Sequence, residues 1–147
     1  MESWIHYLKG DATAPIGNGA KYIVHLCNNL GLWGAGFVLG VSQKWPEPKK
    51  SYLQWYHSEK DFSLGKIQFV PVEKDITIIN MVAQKGIESE DDLPPIRYEA
   101  LKECLNQIAI AAKENKASVH MPRIGSGLAG GNWEEVEKII QKTSFVQ

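Results

Sequence analysis

Short apolar runs bounded by polar or glycine-containing turns predict five strands. The run from Tyr22 to Cys27 is apolar on both sides of His25, which is typical of a strand buried on both faces of a sheet. The connection Glu73 to Asp75 is short enough to favour an antiparallel hairpin. The predicted strands cover Ile5 to Lys9, Tyr22 to Cys27, Lys66 to Val72, Ile76 to Val82 and Ser118 to Met121.

Apolar residues that recur every three or four positions predict four helices. The clearest stripe consists of Leu101, Leu105, Ile108 and Ala112. The helices cover Phe37 to Trp45, Lys49 to Glu59, Ile96 to Asn115 and Trp133 to Lys142. Because strands alternate with helices, the sequence predicts an α/β fold, with helices on both faces of a mixed central sheet. No linker or repeat divides residues 1–147, so we expect a single domain.

The segment from Met121 to Trp133 contains the strongest chemical signal. It joins a predicted strand to a predicted helix and holds four glycines within seven residues, Gly125 to Gly131. Glycine lets backbone N–H groups turn toward a ligand and approach it closely. Successive N–H groups that face one point form a nest that binds anions, phosphates above all. The sequence therefore predicts a diphosphate cradle here.

Two other interpretations of this segment compete with a diphosphate cradle, and the first does not fit its context. Gly125, Gly127 and Gly130 match the G-x-G-x-x-G dinucleotide fingerprint, but the further strand and distant acidic residue that this motif needs do not follow before Gln147. A kinase-type phosphate loop is excluded because no Gly-Lys-Ser or Gly-Lys-Thr follows the glycines. The second interpretation is a plain turn between strand and helix.

Composition narrows the class of ligand. The 16 basic and 17 acidic residues give a net charge of −1, and no basic tract occurs. Broad electrostatic binding of nucleic acid or of an anionic membrane is therefore not expected. A phosphate ligand must instead be held by local geometry.

The remaining composition favours a cytoplasmic protein without cofactors. The two cysteines, Cys27 and Cys104, have neither metal-ligand spacing nor a disulfide pattern. We expect no membrane span and no signal peptide. The four histidines show no paired ligand spacing, so no metal is expected either.

Three loops, taken in order, resemble those of a macro domain, the ADP-ribose-binding fold. The resemblance rests on Gly10-Asp11, on His25 to Asn28, on Gly31 to Phe37 and on Met121 to Leu128. It extends over most of the chain and is strongest for terminal ADP-ribose protein glycohydrolases and fungal-type ADP-ribose 1″-phosphate phosphatases. Macro domains usually close with another strand, of which Ser144 to Gln147 resembles only the beginning.

The resemblance implies a role for each loop. Asp11 would accept a hydrogen bond from the adenine amino group, or alternatively would bond its own turn. Residues 125–130 would wrap the diphosphate, with a charge-assisted bond from Arg123 unless that side chain is merely exposed. Asn28 and the loop 31–37 would hold the distal ribose, and Trp33 would cover the sugar or fill a gap. The ligand-binding residues implied are Asp11, Asn28, Trp33, Gly34, Ala35, Gly36, Phe37, Arg123, Ile124, Gly125, Ser126, Gly127, Leu128, Ala129 and Gly130.

The resemblance also implies two candidate catalytic residues. His25 matches the histidine of the phosphatase relatives and could exchange a proton near the distal phosphate, unless it is a buried histidine with a structural partner. Lys85 is an approximate match to the lysine of the glycohydrolase relatives. Those relatives also carry an acidic residue just beyond Gly-x-Gly-Leu, where this sequence has Ala129.

The sequence thus predicts a protein that binds ADP-ribose and removes a group from its distal ribose. ADP-ribose 1″-phosphate is the first expected substrate, hydrolysed without metal. Hydrolysis of ester- or protein-linked ADP-ribose and binding without catalysis are the alternatives. A module that binds NAD or ATP is a fourth, less favoured hypothesis.

Overall fold

The computed structural model describes residues 6–124 and 130–143, which form four strands and four helices. The strands are β1 (Lys21–Asn28), β2 (Ile67–Glu73), β3 (Ile76–Gln84) and β4 (Ser118–His120). The helices are α1 (Phe37–Lys44), α2 (Glu47–Ser58), α3 (Tyr98–Asn115) and α4 (Trp133–Lys142). Their bounds fall within a few residues of the predicted ones.

The strands form one mixed sheet in the order β2-β3-β1-β4. β1 runs parallel to both β3 and β4, whereas β2 and β3 form the predicted antiparallel hairpin. In the register, Tyr22 lies opposite Thr77 of β3 and opposite Val119 of β4. The carboxyl ends of β1, β3 and β4 therefore meet at one edge of the sheet.

Helices cover both faces of the sheet, as the sequence predicts. One core joins Val24 and Met81 of the sheet to α3 and α4, and it contains the whole predicted stripe of α3. The other core joins Ile23 and Ile78 to α1 and α2, with Trp33 and Trp45 filling the space between. Alternate side chains of β1 enter opposite cores, which explains why this strand is apolar on both sides of His25.

The strand predicted over Ile5 to Lys9 is not found in its described part. Residues 6–9 have no regular structure, and Ile5 lies outside the described residues. The side chains of Tyr7 and Leu8 are 59% and 68% exposed, so the segment packs neither of its faces into a core. The hydroxyl of Tyr7 contacts the carboxylate of Glu137 on α4 instead. Alternation over five residues does not specify a strand unless a neighbouring strand receives it.

Asn132 caps the amino end of helix α4, although the arrangement differs in one bond from a complete capping box. The side chain of Asn132 accepts a hydrogen bond from the N–H of Glu134 at 2.8 Å. The N–H of Asn132, which a complete capping box would pair with Glu135, donates to the hydroxyl of Tyr98 at 3.0 Å. This bond ties the end of the glycine-rich segment to the start of α3.

Candidate functional site

Three loops leave the sheet at the edge where the parallel strands end. Residues 29–36 follow β1, residues 85–97 follow β3, and residues 121–132 follow β4. Open α/β sheets bind ligands in the crevice at this edge. We call it the carboxyl edge, and most of the predicted site residues belong to its three loops.

The Asp11 loop lies against helix α1. Asp11 Oδ1 accepts hydrogen bonds from the N–H and the hydroxyl of Thr13, at 2.8 and 2.7 Å. These bonds lower the pKa of the Asp11 carboxyl. Lys44 of α1 donates to the main-chain oxygen of Thr13 at 2.9 Å and so holds the loop. Asp11 therefore does bond its own turn, but the residue is exposed and its Oδ2 makes no hydrogen bond within the described residues.

The side chain of Asn28 shapes the loop that follows β1. Its Oδ1 accepts hydrogen bonds from the N–H groups of Leu30 and Leu32, at 2.9 and 3.2 Å, and its Nδ2 donates to the oxygen of Leu32 at 2.8 Å. The oxygen and one amide hydrogen are thus engaged within the loop. Direct contact between Asn28 and a ligand stays a prediction.

Tyr52 is a loop-positioning residue that sequence reasoning missed. Its side chain is fully buried, and its hydroxyl donates to the main-chain oxygen of Asn28 at 2.6 Å. The same hydroxyl accepts from the N–H of Gly31 at 3.1 Å. Gly31 has a φ of +74°, and a Cβ added there would lie 2.5 Å from the ring of Tyr56. Helix α2 therefore sets the path of this loop through two tyrosines.

The second half of this loop combines exposed backbone with buried rings. Gly34, Ala35 and Gly36 are exposed, and Phe37 is half-buried at the start of α1. Trp33 is only 7% exposed and donates from Nε1 to Ser42 Oγ at 2.8 Å. The ring of Trp33 thus fills a gap in the core, and its contact with a sugar stays a prediction.

His25 lies in the core beneath these rings. It is 1% exposed, its ring centroid is 5.3 Å from that of Trp33, and it is 5.9 Å from that of Phe37. Its Nε2 lies 2.6 Å from Oδ1 of Asn80. Asn80 Nδ2 donates to Gln68 at 2.9 Å and to Pro48 O at 3.2 Å, so Oδ1 is the acceptor and His25 Nε2 carries the proton.

The environment of His25 keeps its ring neutral. Burial lowers the pKa of His25 to about 4, against a small opposing effect of the bond to Asn80. With the proton on Nε2, the lone pair is on Nδ1, which has no hydrogen-bond partner within the described residues. A base at this position would have to act through Nδ1. Proton exchange between His25 and a ligand stays a prediction.

Lys85 is the first residue after β3 and stands beside the loop that follows β1. The neighbouring N–H of Gly86 donates to Asn29 Oδ1 at 2.8 Å, which joins the two loops. The N–H of Lys85 itself donates to Pro95 O at 2.7 Å. Its side chain is 53% exposed, and its Nζ lies 3.8 Å from Oε2 of Glu90. The lysine predicted from an approximate motif match is therefore accessible at the carboxyl edge.

The glycine-rich segment is described only at its two ends. Ile124 is 4% exposed in the core, and Arg123 lies over the ring of Trp133 at 5.2 Å. A Cβ on Gly130, whose φ is +68°, would lie 3.2 Å from Cβ of Pro94. The segment thus starts from a buried anchor and returns beside the loop that carries Lys85. Gly125, Ser126, Gly127, Leu128 and Ala129 lie outside the described residues.

Within residues 6–124 and 130–143, no group of three His, Cys, Asp or Glu side chains is arranged to hold a metal ion. No helix in this part of the chain is long and apolar enough to cross a membrane.

The sequence that forms these strands, helices and edge loops matches a known family. A model of the macro domain family matches residues 24–140. The chain belongs to the macro domain family. The matched region includes β1 from residue 24 onward, all of β3 and β4, and all three loops of the carboxyl edge.

The chain is similar to curated proteins of two kinds. The chain is 34% identical over 146 residues to the mouse chromodomain-helicase-DNA-binding protein 1-like, covering 94% of the chain but only 16% of that protein. It is 26% identical over 147 residues to the ADP-ribose 1″-phosphate phosphatase of Candida albicans, covering 94% of the chain and 92% of that enzyme. This macro domain thus spans a small part of the first relative and nearly all of the second.

Solved structures share the fold at higher identity. A protein from Bacteroides thetaiotaomicron is 55% identical, with a TM-score of 0.91 over 92% of this chain and 87% of that one. A macrodomain protein from Streptomyces coelicolor is 48% identical, with a TM-score of 0.80 over 90% of this chain and 85% of that one. The mixed sheet of this macro domain therefore follows the arrangement found in its solved relatives.

Proposed function

We propose that this macro domain binds ADP-ribose and hydrolyses the bond between its distal ribose and a substituent, with ADP-ribose 1″-phosphate as the first substrate. The observation that carries the proposal is the meeting of three strand-end loops at one edge, in a chain that matches a phosphatase of this substrate over 92% of that enzyme. Each part of the ligand has a candidate partner.

The adenine end is assigned to Asp11. Because Thr13 occupies Oδ1, Oδ2 is the oxygen that would accept the adenine amino group. A carboxylate only accepts hydrogen bonds, so it favours the amino group of adenine over the carbonyl of guanine or hypoxanthine. The turn role and the ligand role of Asp11 are therefore compatible, one on each oxygen.

The distal ribose is assigned to the loop that Asn28 and Tyr52 position. Exposed backbone at residues 34–36 offers donors and acceptors for hydroxyl groups, while the buried rings beneath keep the loop in place. The diphosphate is assigned, on the sequence pattern, to backbone N–H groups of residues 125–130. The described ends of that segment, Ile124 and Gly130, lie on the same edge as the other two loops.

The chemical step in the phosphatase hypothesis uses positioning and one base. Holding the phosphate and a water in line lowers the barrier by removing the entropy of encounter, and backbone dipoles offset the charge that develops. His25 Nδ1 is the proposed acceptor of a proton from that water as the water oxygen bonds to phosphorus. The bond from phosphorus to the 1″ oxygen of the ribose breaks, and ADP-ribose leaves with that electron pair and takes up a proton. The His25 ring is neutral at pH 7 and carries the lone pair on Nδ1, an atom that is buried in the described structure.

Binding calorimetry and phosphate release test this proposal. We expect ADP-ribose to bind more tightly than ADP, because ADP lacks the distal ribose, and we expect wild-type protein to release phosphate from ADP-ribose 1″-phosphate. His25→Gln should bind ADP-ribose but lose most turnover, whereas the exposed His57→Gln should match wild type. Equal affinity for ADP and ADP-ribose, or full phosphate release by a folded His25→Gln protein, would contradict the proposal.

A second candidate substrate is ADP-ribose linked to a carboxyl group, as on a modified glutamate. The observation that favours it is the accessible Lys85 ammonium at the carboxyl edge, which can offset the charge of a departing carboxylate. Release of ADP-ribose from a glutamate-modified peptide, abolished by Lys85→Ala, would support this substrate. Tight binding of ADP-ribose without turnover of either compound would instead identify a non-catalytic reader.

A further inference from the structure

The loop between β3 and α3 is fixed at its base and at its tip. At the base, the N–H of Arg97 donates to Ala83 O at 2.8 Å, and Lys85 bonds Pro95. At the tip, Glu90 and Leu93 exchange two backbone hydrogen bonds of 3.0 and 2.8 Å. The two residues between them both have positive φ, as in a two-residue type I′ turn. The backbone of Glu90 is therefore held in a defined place relative to Lys85.

The side chain of Glu90 turns back toward Lys85. Its Oε2 is 3.8 Å from Lys85 Nζ, and the two side chains are 63% and 53% exposed. An exposed pair of this kind adds little to stability. The pair is open to solvent, and so also to a water and a substrate, at the carboxyl edge of the sheet.

The carboxylates of the three loops at this edge all belong to the loop that carries Lys85, and they are Glu88, Glu90, Asp91 and Asp92. The sequence has no Asp or Glu from residue 124 to residue 133, and position 129 is alanine. Asp11 lies outside the three loops of the carboxyl edge and is bonded to its own turn. Within the described residues, Glu90 is the carboxylate that forms an ion pair with the candidate catalytic lysine.

We infer that Glu90 is the general base beside Lys85 in the hydrolysis of ADP-ribose that is linked through its distal ribose to a carboxyl group. The inference rests on the proposed function and selects its second substrate. Glu90 takes a proton from a water as the water oxygen bonds to the anomeric carbon of the distal ribose. The bond from that carbon to the ester oxygen breaks, and its electron pair leaves with the carboxylate of the acceptor. Lys85 offsets the charge of that carboxylate, and Glu90 then releases its proton to solvent.

The test compares Glu90→Gln with Glu88→Gln, which makes the same change on an exposed residue of the same loop without an ion pair in the described structure. The substrate is a synthetic peptide with ADP-ribose on a glutamate carboxyl group. We expect Glu90→Gln to lower kcat by about 10²- to 10⁴-fold. We expect KM, and the Kd for ADP-ribose, to change by less than about threefold, since a base acts mainly in the transition state. Glu88→Gln should keep the wild-type kcat.

Chemical rescue separates a base from a structural residue. Added formate should restore part of the kcat of Glu90→Ala, because the small carboxylate can take the place of the missing side chain, and should not change that of Glu88→Ala. The inference would be overturned by a wild-type kcat in Glu90→Gln. It would also be overturned if the wild-type protein binds ADP-ribose but leaves the ester intact, a result that would leave the proposed binding of ADP-ribose unaffected. Failure of the wild-type protein to bind ADP-ribose would instead refute the proposed function.

Discussion

The chemistry available to a ligand at each residue depends on which side-chain atoms the fold has already used. One carboxylate oxygen of Asp11 accepts hydrogen bonds from Thr13 and the other makes none in the described structure. The side-chain oxygen of Asn28 accepts from two N–H groups of its own loop. The two residues are both polar loop residues in the sequence. Only Asp11 keeps a free acceptor, and this difference separates a candidate ligand contact from a residue that positions a loop.

Asp11→Asn should weaken ADP-ribose binding about tenfold. Asparagine can keep the bonds to Thr13 through its remaining oxygen. Its NH₂ group, however, is a donor at the place where the adenine amino group needs an acceptor. Calorimetry with ADP and with inosine diphosphate measures the effect, since hypoxanthine presents a carbonyl oxygen. The preference for ADP should fall in Asp11→Asn and persist in Asp75→Asn, which changes a distant turn. An unchanged preference in Asp11→Asn would remove Asp11 from the adenine site.

His25 should make the protein less stable in mild acid. Its pKa is about 4 in the folded protein against 6.5 as the reference for the unfolded chain. Between these values the unfolded chain binds more protons, so the free energy of unfolding falls as the pH drops from 6.5 toward 4, by on the order of 3 kcal/mol in total. Denaturant titrations across this range should show the loss in wild type and in His57→Gln. The loss should be smaller in His25→Gln, and an equal loss there would show that His25 is not responsible.

At the scale of elements, the loop after β1 takes its shape from helix α2 as well as from Asn28. Tyr52 donates to the main chain at Asn28 and accepts from Gly31, while the ring of Tyr56 restricts the space beside Gly31. Asn28 completes the arrangement from within the loop. A helix that lies on the far side of the core thus determines the backbone that we assign to the distal ribose.

Tyr52→Phe should damage this loop while leaving the sheet intact. The lost hydroxyl leaves the N–H of Gly31 without its partner, which should lower the free energy of unfolding by about 1–3 kcal/mol. ADP-ribose affinity should fall, but ADP affinity should stay near wild type because ADP lacks the distal ribose that we assign to this loop. Tyr56→Phe, on the same helix, provides the control, since the Tyr56 hydroxyl makes no hydrogen bond in the described structure. A parallel loss of ADP and ADP-ribose affinity in Tyr52→Phe would argue against a distal-ribose role for the loop.

The helices and most strands were predictable because their signals are local. The stripe of α3 is a 3.6-residue pattern, and β1 is an apolar run on both sides of His25, so each identifies its element without knowledge of the rest. The pattern of residues 6–9 does not identify its structure in this way, because a short alternating segment becomes a strand only where another strand can pair with it. Ile96 also leaves the predicted helix, since it pairs with Gln84 at the end of β3.

The candidate site was predictable in part, for the same physical reason. Glycine-rich loops at the ends of strands are visible in the sequence, as is the carboxylate of Asp11. The partners of these residues are not visible, because they come from distant parts of the chain. Tyr52 lies 24 residues from the oxygen it bonds, and Asn80 lies 55 residues from His25. Long-range hydrogen bonds of this kind have no sequence pattern.

At the scale of the whole molecule, the parallel arrangement of β1, β3 and β4 makes three separate loops into one edge. Hydrogen bonds also connect these segments: Gly86 donates to Asn29 of the loop after β1, and Asn132 donates to Tyr98 at the start of α3. A ligand that contacts all three loops would stabilise contacts between segments far apart in sequence. Binding should therefore be visible as a single cooperative change in backbone protection.

Hydrogen exchange with and without saturating ADP-ribose tests this cooperativity. We expect slower exchange together in residues 28–37, 84–97 and 130–133, because each belongs to a loop of the carboxyl edge or adjoins one. The turn at residues 73–76 joins β2 to the amino end of β3 and should be unaffected, since it lies at the opposite edge of the sheet. At 100 times Kd the ligand should also raise the free energy of unfolding by about 2.7 kcal/mol. Protection of a single loop would mean that the ligand does not bridge the edge, and equal protection of the 73–76 turn would indicate a general tightening rather than binding at this site.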